Sequence, residues 1–214
     1  MSRPEHSHYP VALDLRGRRV LLVGAGTIAA RKLDGLLAAG AVVHVVAPEV
    51  DDRIEARRDE IDELSRRPYA PGDIDGVWYV VEATGIPEVA ERIAADAQAA
   101  RTFVNAADQP DSCSAILPAV HRVGDLTITW STGGRSPAFA GWIRDRSAPD
   151  YGPELGVLLG LVGDARASML AEGRRRLIAD WRELLDSGIL EEIRSGQLER
   201  AKERLQAWQS SSSE

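Results

Sequence analysis

A doubly wound parallel α/β sheet, followed by a small α+β segment and a C-terminal helical domain, is the architecture the sequence predicts, and three observations predict it. Apolar runs of strand length alternate with helical spacings through the first half of the chain. The first of these runs enters a helix through a glycine turn. After Asp111 the alternation stops, giving way to a hairpin pattern and then to helix alone. These shifts predict a first domain over 1–112, a middle segment over 113–150 and a helical domain over 151–214.

The first element is an apolar strand, Arg19 to Val23, and the second a helix from Thr27 to Ala39. Between them lies Gly24-Ala-Gly26. Gly24 lets the chain turn at the strand end, and Gly26 lets backbone N–H groups approach an anion. The helix that begins Thr27-Ile28 points its positive end at the same place. Ala29 replaces the third glycine of the usual G-x-G-x-x-G pattern and still permits close packing of helix on strand. A second strand, Val42 to Ala47, completes a βαβ unit. That context turns a weak motif into a Rossmann-like dinucleotide site.

The choice of dinucleotide rests on the end of the second strand, where an acid normally binds the adenosine ribose. This strand ends Ala47-Pro48-Glu49, so Glu49 arrives about two residues late for that geometry. It reads either as a ribose ligand beside Pro48 or as a solvated loop carboxylate. No arginine occurs from Val46 to Asp52 to receive a 2′-phosphate, and Arg53 is the nearest. NAD is therefore favoured over NADP.

Further on, Gly76 to Ala83 reads as a buried strand. Thr84-Gly85 follows it, then a helix from Pro87 to Ala100 and a strand from Thr102 to Ala107 ending at Asp108-Gln-Pro-Asp111. In a parallel sheet the loops at the carboxyl ends of the strands share one edge. Gly24 to Gly26, Thr84 to Gly85 and Asn105 to Asp108 are thus expected to converge. Asp108 reads either as a turn former or as a catalytic carboxylate beside the nicotinamide.

Two short apolar stretches, Ala115 to His121 and Leu126 to Trp130, flank Gly124-Asp125 and predict a hairpin. Behind them comes Ser131-Thr132-Gly133-Gly134-Arg135-Ser136-Pro137, opening a helix from Ala138 to Asp145. This turn reads as a second anion site, with Arg135 and the hydroxyls ready for carboxylates, or as a plain capping turn. From Pro153 onward the chain is helical. Leu155, Leu158, Leu159 and Val162 are spaced for one face, and Leu177, Trp181, Leu184 and Leu185 for another. Met169, Trp181 and Trp208 read as packing residues, Arg174 to Arg176 as a solvated face or an acidic-ligand contact, and Ser210 to Glu214 as a polar tail.

Composition excludes several functions. A net charge of −7 without a basic tract argues against nucleic acid, and no apolar run approaches a membrane span. Met1 to Pro10 lacks the pattern of a secretory leader, so a cytoplasmic location is expected. The single cysteine, Cys113, excludes a disulfide framework and a CxxC metal site, leaving a small core residue. Tyrosines at 9, 69, 79 and 151 and lysines at 32 and 202 form no Y-x-x-x-K pair, which excludes short-chain carbonyl reduction. Of the four histidines, His6 and His8 lie in the leader, His44 and His121 in strands. No catalytic triad or three-histidine metal site is visible. The other cations are 24 arginines, planar forks suited to carboxylates.

Four ordered motifs then carry a resemblance. They are Tyr9-Pro-Val-Ala-Leu-Asp-Leu-Arg-Gly-Arg18, Val23-Gly-Ala-Gly-Thr-Ile-Ala-Ala-Arg-Lys32, Phe103-Val-Asn105-Ala-Ala-Asp108 and Ser131-Thr-Gly-Gly-Arg-Ser-Pro-Ala138. Together they resemble the precorrin-2 dehydrogenase/sirohydrochlorin ferrochelatase family of siroheme synthesis, over essentially the whole chain. The resemblance implies an NAD-binding domain, a middle segment that forms a homodimer, and a helical domain roofing a tetrapyrrole cleft. It places the family's catalytic aspartate on Asp108 and implies substrate contacts from Asn105 and from Ser131, Thr132, Gly133, Gly134, Arg135 and Ser136. Precorrin-2 and sirohydrochlorin are the implied substrates, with Fe2+ as a further substrate in members that also chelate. The methyltransferase domain of some members is not expected in 214 residues. One departure is Ala83-Thr84-Gly85-Ile86, where the family often has Ala-Thr-Asp-Asp. Two rivals stand beside the enzyme: an NAD-sensing module, which needs no acid beside the nicotinamide, and a vestigial dinucleotide-fold homodimer.

Overall fold

The computed structural model describes residues 8–174 and 178–211. Expectations that fall on His6, on Arg175, Arg176 and Leu177, and on residues 212–214 lie outside the described residues. The chain divides after Leu117 into two compact units.

The first unit is a five-stranded, wholly parallel sheet of β1 (Arg19–Val23), β2 (Val42–Val46), β3 (Glu63–Ser65), β4 (Tyr79–Glu82) and β5 (Phe103–Ala106), in the order β3-β2-β1-β4-β5. Its helices are α1 (Thr27–Ala38), the single turn α2 (Asp52–Glu55) and α3 (Pro87–Ala99). Successive β1 residues feed opposite faces. Val20 and Leu22 join Ala29 and Leu33 of α1 in one cluster, whereas Leu21 and Val23 join Ile93 and Ala97 of α3 in the other. This is why the strand is apolar without alternation. Each fully buried Leu or Ile, such as Leu33 and Ile93, contributes about 1.5–3 kcal/mol of transfer free energy.

The expected strands and helices form with small shifts at their ends, and one strand is added. β3 is three residues, Glu-Leu-Ser, pairing Leu64 with Val45. A single apolar residue in so short an edge strand leaves no period to read.

The second unit holds the hairpin of β6 (Ala119–Val123) and β7 (Leu126–Trp130), turning at Gly124 with φ +56°, as expected. It continues through α4 (Pro137–Ser147), α5 (Pro153–Ala171), α6 (Ile178–Leu184), α7 (Leu190–Arg194) and α8 (Leu198–Ser210). Leu158, Ala165, Leu184, Ile189, Ala201 and Leu205 make its core, with the Trp181 and Trp208 rings 4.6 Å apart and tilted 48° to each other. Leu159 and Leu185, placed by their spacing on apolar faces, are exposed. Gly188, at φ +90°, breaks the helix between α6 and α7 and resets the phase there. No helix among the described residues is long and apolar enough to cross a membrane.

The division after Leu117 differs from the boundaries expected at 112 and 150. Residues 113–115 stay with the first unit because the N–H groups of Ser114 and Ala115 both donate to Val104 O, while Val104 N–H donates to Ser114 Oγ. That segment closes the outer edge of β5. Within the second unit, α5 packs on the hairpin, where a Cβ on Gly156 would stand 3.1 Å from Val123 O. Hairpin and helices are one body.

His44, read as pointing from a strand, is buried. Its Nε2 lies 3.1 Å from Ser65 Oγ and 3.3 Å from Glu63 Oε1. Burial holds its pKa below the ordinary 6.5, against the opposing pull of Glu63 and Asp73. The unfolded chain takes up a proton near 6.5 and the folded chain only below that. Stability is therefore complete above 6.5 and is lost as pH falls from there toward the folded value. Urea unfolding midpoints should drop as pH is lowered through this range, and His44→Gln should flatten the drop. An unchanged slope in the variant would assign the effect elsewhere.

Candidate active site

The loops that follow β1, β2, β4 and β5 meet at one edge of the first unit's sheet, and β1 and β4 flank the point where strand order reverses. A ligand crevice forms at such a reversal. Gly24 is its pivot. Its N–H donates to Val46 O at 2.9 Å, its φ is +94°, and a Cβ there would stand 2.6 Å from Ala83 O. This glycine is thus demanded by the protein, because the β1 and β4 backbones touch.

Gly26 differs. It is exposed, it is the N-cap of α1, and nothing lies within 4 Å of where its Cβ would be. The first helical bond runs from Ala30 N–H to Gly26 O, no side chain caps the helix, and its first turn carries no acid. The N–H groups of Thr27 and Ile28 are left at an uncluttered positive helix end, which fits a pyrophosphate. The residues present therefore suit a dinucleotide.

The loop after β2 folds back on this turn, since Asp51 N–H donates to Ala25 O at 2.9 Å while Asp51 Oδ1 accepts from Arg53 N–H and caps α2. That link holds exposed Pro48 and Glu49 beside the glycine turn.

Behind β4 the structure reveals a residue to which the sequence reading gave no role. Glu82 is fully buried, and its Oε1 accepts from Thr84 N–H at 2.6 Å and Thr84 Oγ1 at 2.5 Å. Thr84 Oγ1 in turn accepts from Ile86 N–H. The Thr84 hydroxyl is therefore occupied in shaping its own loop, and Gly85, at φ +72°, completes the turn. Glu82 Oε2 has no partner among the described residues. A lone carboxylate closing the run Val80-Val81-Glu82 was the available signal.

At the end of β5, Asp108 is exposed and sits at φ +60°, a left-handed conformation that it shares with only Arg101 among the described non-glycine residues. Aspartate tolerates this region better than most residues, yet such backbone costs free energy and is concentrated at functional sites. Asn105, read as a substrate contact, is buried instead. Its Nδ2 donates to Ala115 O at 3.0 Å, and its Oδ1 lies 3.4 Å from Lys32 Nζ. Both ends of the amide are engaged by protein, so it acts as an internal bracket. Cys113 is partly buried, accepting from Ala106 N–H and donating to Ala106 O.

In the second unit, the turn over Ser131–Ser136 caps α4, and the hydroxyls read as ready for carboxylates are engaged within the turn itself. Ser136 caps α4 by accepting from Phe139 N–H, and Thr132 Oγ1 donates to Ser136 O and accepts from Ser136 N–H. Ser131 Oγ accepts from Gly133 N–H, with Gly133 and Gly134 both at positive φ. Arg135 is exposed, and no described residue pairs with its guanidinium.

Comparison with known proteins agrees with this geometry. A family model described as "Putative NAD(P)-binding" matches residues 11–119. The siroheme synthase of Azotobacter vinelandii (strain DJ) is 37% identical over 204 residues, 94% of this chain and 44% of that protein. That of Pseudomonas fluorescens (strain SBW25) is 36% identical over 199 residues, 92% and 43% respectively. The chain thus spans less than half the length of these relatives. Among solved structures, SirC, a precorrin-2 dehydrogenase, superposes with a TM-score of 0.70 at 28% identity, covering 94% of this chain and 98% of that one.

The two glycines should separate by experiment. Gly24→Ala combines a left-handed φ with a backbone clash and should lose about 3 kcal/mol of stability. Gly26→Asp places a favourable capping carboxylate in open space, so its Tm should hold while calorimetric titration shows NAD affinity lost. Retained affinity in Gly26→Asp would remove the pyrophosphate from this turn.

Proposed function

Because the chain belongs to the NAD(P)-binding family whose model it matches over residues 11–119, we propose that it is an NAD-dependent precorrin-2 dehydrogenase of siroheme synthesis. The observation that carries this reading is Asp108, held in a left-handed conformation on the same sheet edge as the open glycine turn. Siroheme synthases aligned along 94% of the chain and the fold shared with a precorrin-2 dehydrogenase supply the substrate class.

The residues divide the work. The N–H groups at Gly26, Thr27 and Ile28 hold the pyrophosphate, Pro48 and Glu49 border the ribose, and Thr84 and Gly85 form the wall beyond β4. NAD+ at that edge would supply the hydride acceptor for a macrocycle that gives up one hydride and one proton to become sirohydrochlorin. Asp108 accepts that proton, and its exposure leaves the carboxylate open to the macrocycle. Arg135 and the N–H group of Gly134 bind substrate carboxylates. If the chain also inserts Fe2+, Asp108 is the carboxylate that receives the displaced pyrrole protons.

The assembly is proposed to be a homodimer in the cytoplasm. The second unit exposes Val120 on the outer face of its hairpin and a Phe139–Trp142 pair, 5.8 Å apart, on α4. Exposed aromatics of this kind are typical of a surface covered by a second subunit.

Anaerobically prepared precorrin-2 mixed with NAD+ should generate NADH absorbance in the presence of this protein. An NAD sensor or a vestigial fold would bind NAD and produce none. Asp108→Ala should lower turnover by about 10²-fold or more with NAD affinity nearly intact. Arg135→Ala should weaken sirohydrochlorin binding about tenfold and leave NAD binding unchanged. Should Arg135→Ala lose NAD and keep sirohydrochlorin, the Ser131–Ser136 turn would belong to the cofactor.

A further inference from the structure

Lys32 is one of two lysines in the chain and is not among the groups assigned to NAD or to the macrocycle. It lies on the second turn of α1, beside the buried stripe Ala29, Leu33 and Leu36. Its partly buried ammonium is within hydrogen-bond reach of Asn105 Oδ1, 3.4 Å away. Asn105 cannot follow a moving partner, because its Nδ2 is tied to Ala115 O. The bracket therefore fixes where the positive charge sits.

What faces this charge is the carboxyl end of β5. Burial lowers the Lys32 pKa, with Arg31 acting in the same direction, while the Cys113 sulfur and the Asp108 carboxylate pull it upward. Asp108 is three residues beyond Asn105 on the same strand exit, so bracket and carboxylate share one short piece of backbone. An ammonium suits this place. It is a compact point charge on a flexible stem, able to donate to Asn105 and still attract a neighbouring carboxylate.

We propose that Lys32 is a positioning residue for Asp108: held by Asn105, its ammonium keeps the Asp108 carboxylate and its left-handed turn in place at the exit of β5, where the proton of the dehydrogenation is taken up. This rests on the reading of Asp108 as the proton acceptor. Lys32 itself forms and breaks no bond in the reaction. It acts through Asp108 alone.

The test compares Lys32→Met, which removes the charge at similar volume, with Lys32→Arg, which keeps it. In the cofactor-free protein, amide hydrogen exchange at Asp108 and Gln109 should quicken about tenfold in Lys32→Met and stay near wild type in Lys32→Arg. In the NADH assay, kcat should fall about tenfold in Lys32→Met with KM for NAD and precorrin-2 little changed, and Lys32→Arg should recover most of it. Adding Lys32→Met to Asp108→Ala should cost almost nothing more, the mark of two residues acting as one. If Lys32→Met does not fold, Lys32→Gln, which can still donate to Asn105, carries the same expectations.

Wild-type exchange and wild-type kcat in the uncharged variants would overturn the proposal. So would a raised KM for NAD at unchanged kcat, which would assign Lys32 to the dinucleotide phosphates. A wild-type protein that makes no NADH would instead sink the dehydrogenase reading, and the exchange measurement would still report on the link between Lys32 and Asp108.

Discussion

The contact on which the first unit depends is the one between the ends of β1 and β4, where Gly24 leaves no room for a single carbon. Its N–H is bonded to Val46 O on one side, and its Cα faces the Ala83 carbonyl on the other. Three strands are thereby pinned at one residue. Because β1 and β4 lie where strand order reverses, pinning them also places the glycine turn and the Thr84–Gly85 loop on either side of one crevice. The usual account of such a glycine makes it a concession to the ligand. Here the glycine with space open over it is Gly26, and Gly24 serves the sheet.

The polar groups around this edge are spent in a consistent way. Glu82, Thr84, Asn105 and Asp51 would all look like ligand contacts on residue type alone, yet each is bonded to nearby protein. What remains open is smaller and more selective: the N–H groups at the start of α1, Glu49 and Asp108. A site whose supporting groups are consumed by one another holds the remaining groups still, and preorganisation of this kind is worth more to catalysis than extra contacts. Glu82 goes further, being buried with one oxygen unpartnered among the described residues. Such an arrangement costs stability, and its return is a β4 exit fixed through Thr84.

Most of the first unit was legible because its strands are buried on both faces and its helices are bounded by glycine and proline. Val20 to Gly26 named both the fold and the ligand class. What escaped reading had no local signature. β3 offers one apolar residue, and its place at the edge follows from pairing with β2 rather than from its own composition. The employment of Asn105 depends on Ala115, ten residues along the chain, and on Lys32, seventy-three residues away. The unit boundary at Leu117 depends on backbone bonds to Val104 that no side chain announces. In the helical part, spacing marks candidate faces, but the helix widens into a π turn from Leu185, which ends exposed. Local pattern thus reports elements, whereas the occupancy of polar groups is a tertiary fact.

An acidic protein proposed to bind a substrate crowded with carboxylates presents an electrostatic conflict, and the disposition of its arginines resolves it. At a net charge of −7 the long-range field repels a polyanion, so binding must be won at short range. Many arginines are unsuitable because they are already paired: Arg16 with Asp14, Arg57 with Asp34 and Glu60, Arg67 with Asp73, Arg194 with Glu154 and Arg204 with Glu192. These pairs neutralise charge and leave little for a ligand. Arg135 stands apart, exposed on a turn of two glycines at positive φ, where Gly134 N–H lies beside it and the hydroxyls are occupied in holding the turn's shape. A guanidinium can take a carboxylate in the two-pronged manner that survives salt better than diffuse attraction. Selectivity for the macrocycle would then come from the placing of a few unpaired donors, in a protein whose overall charge discourages smaller anions from gathering there.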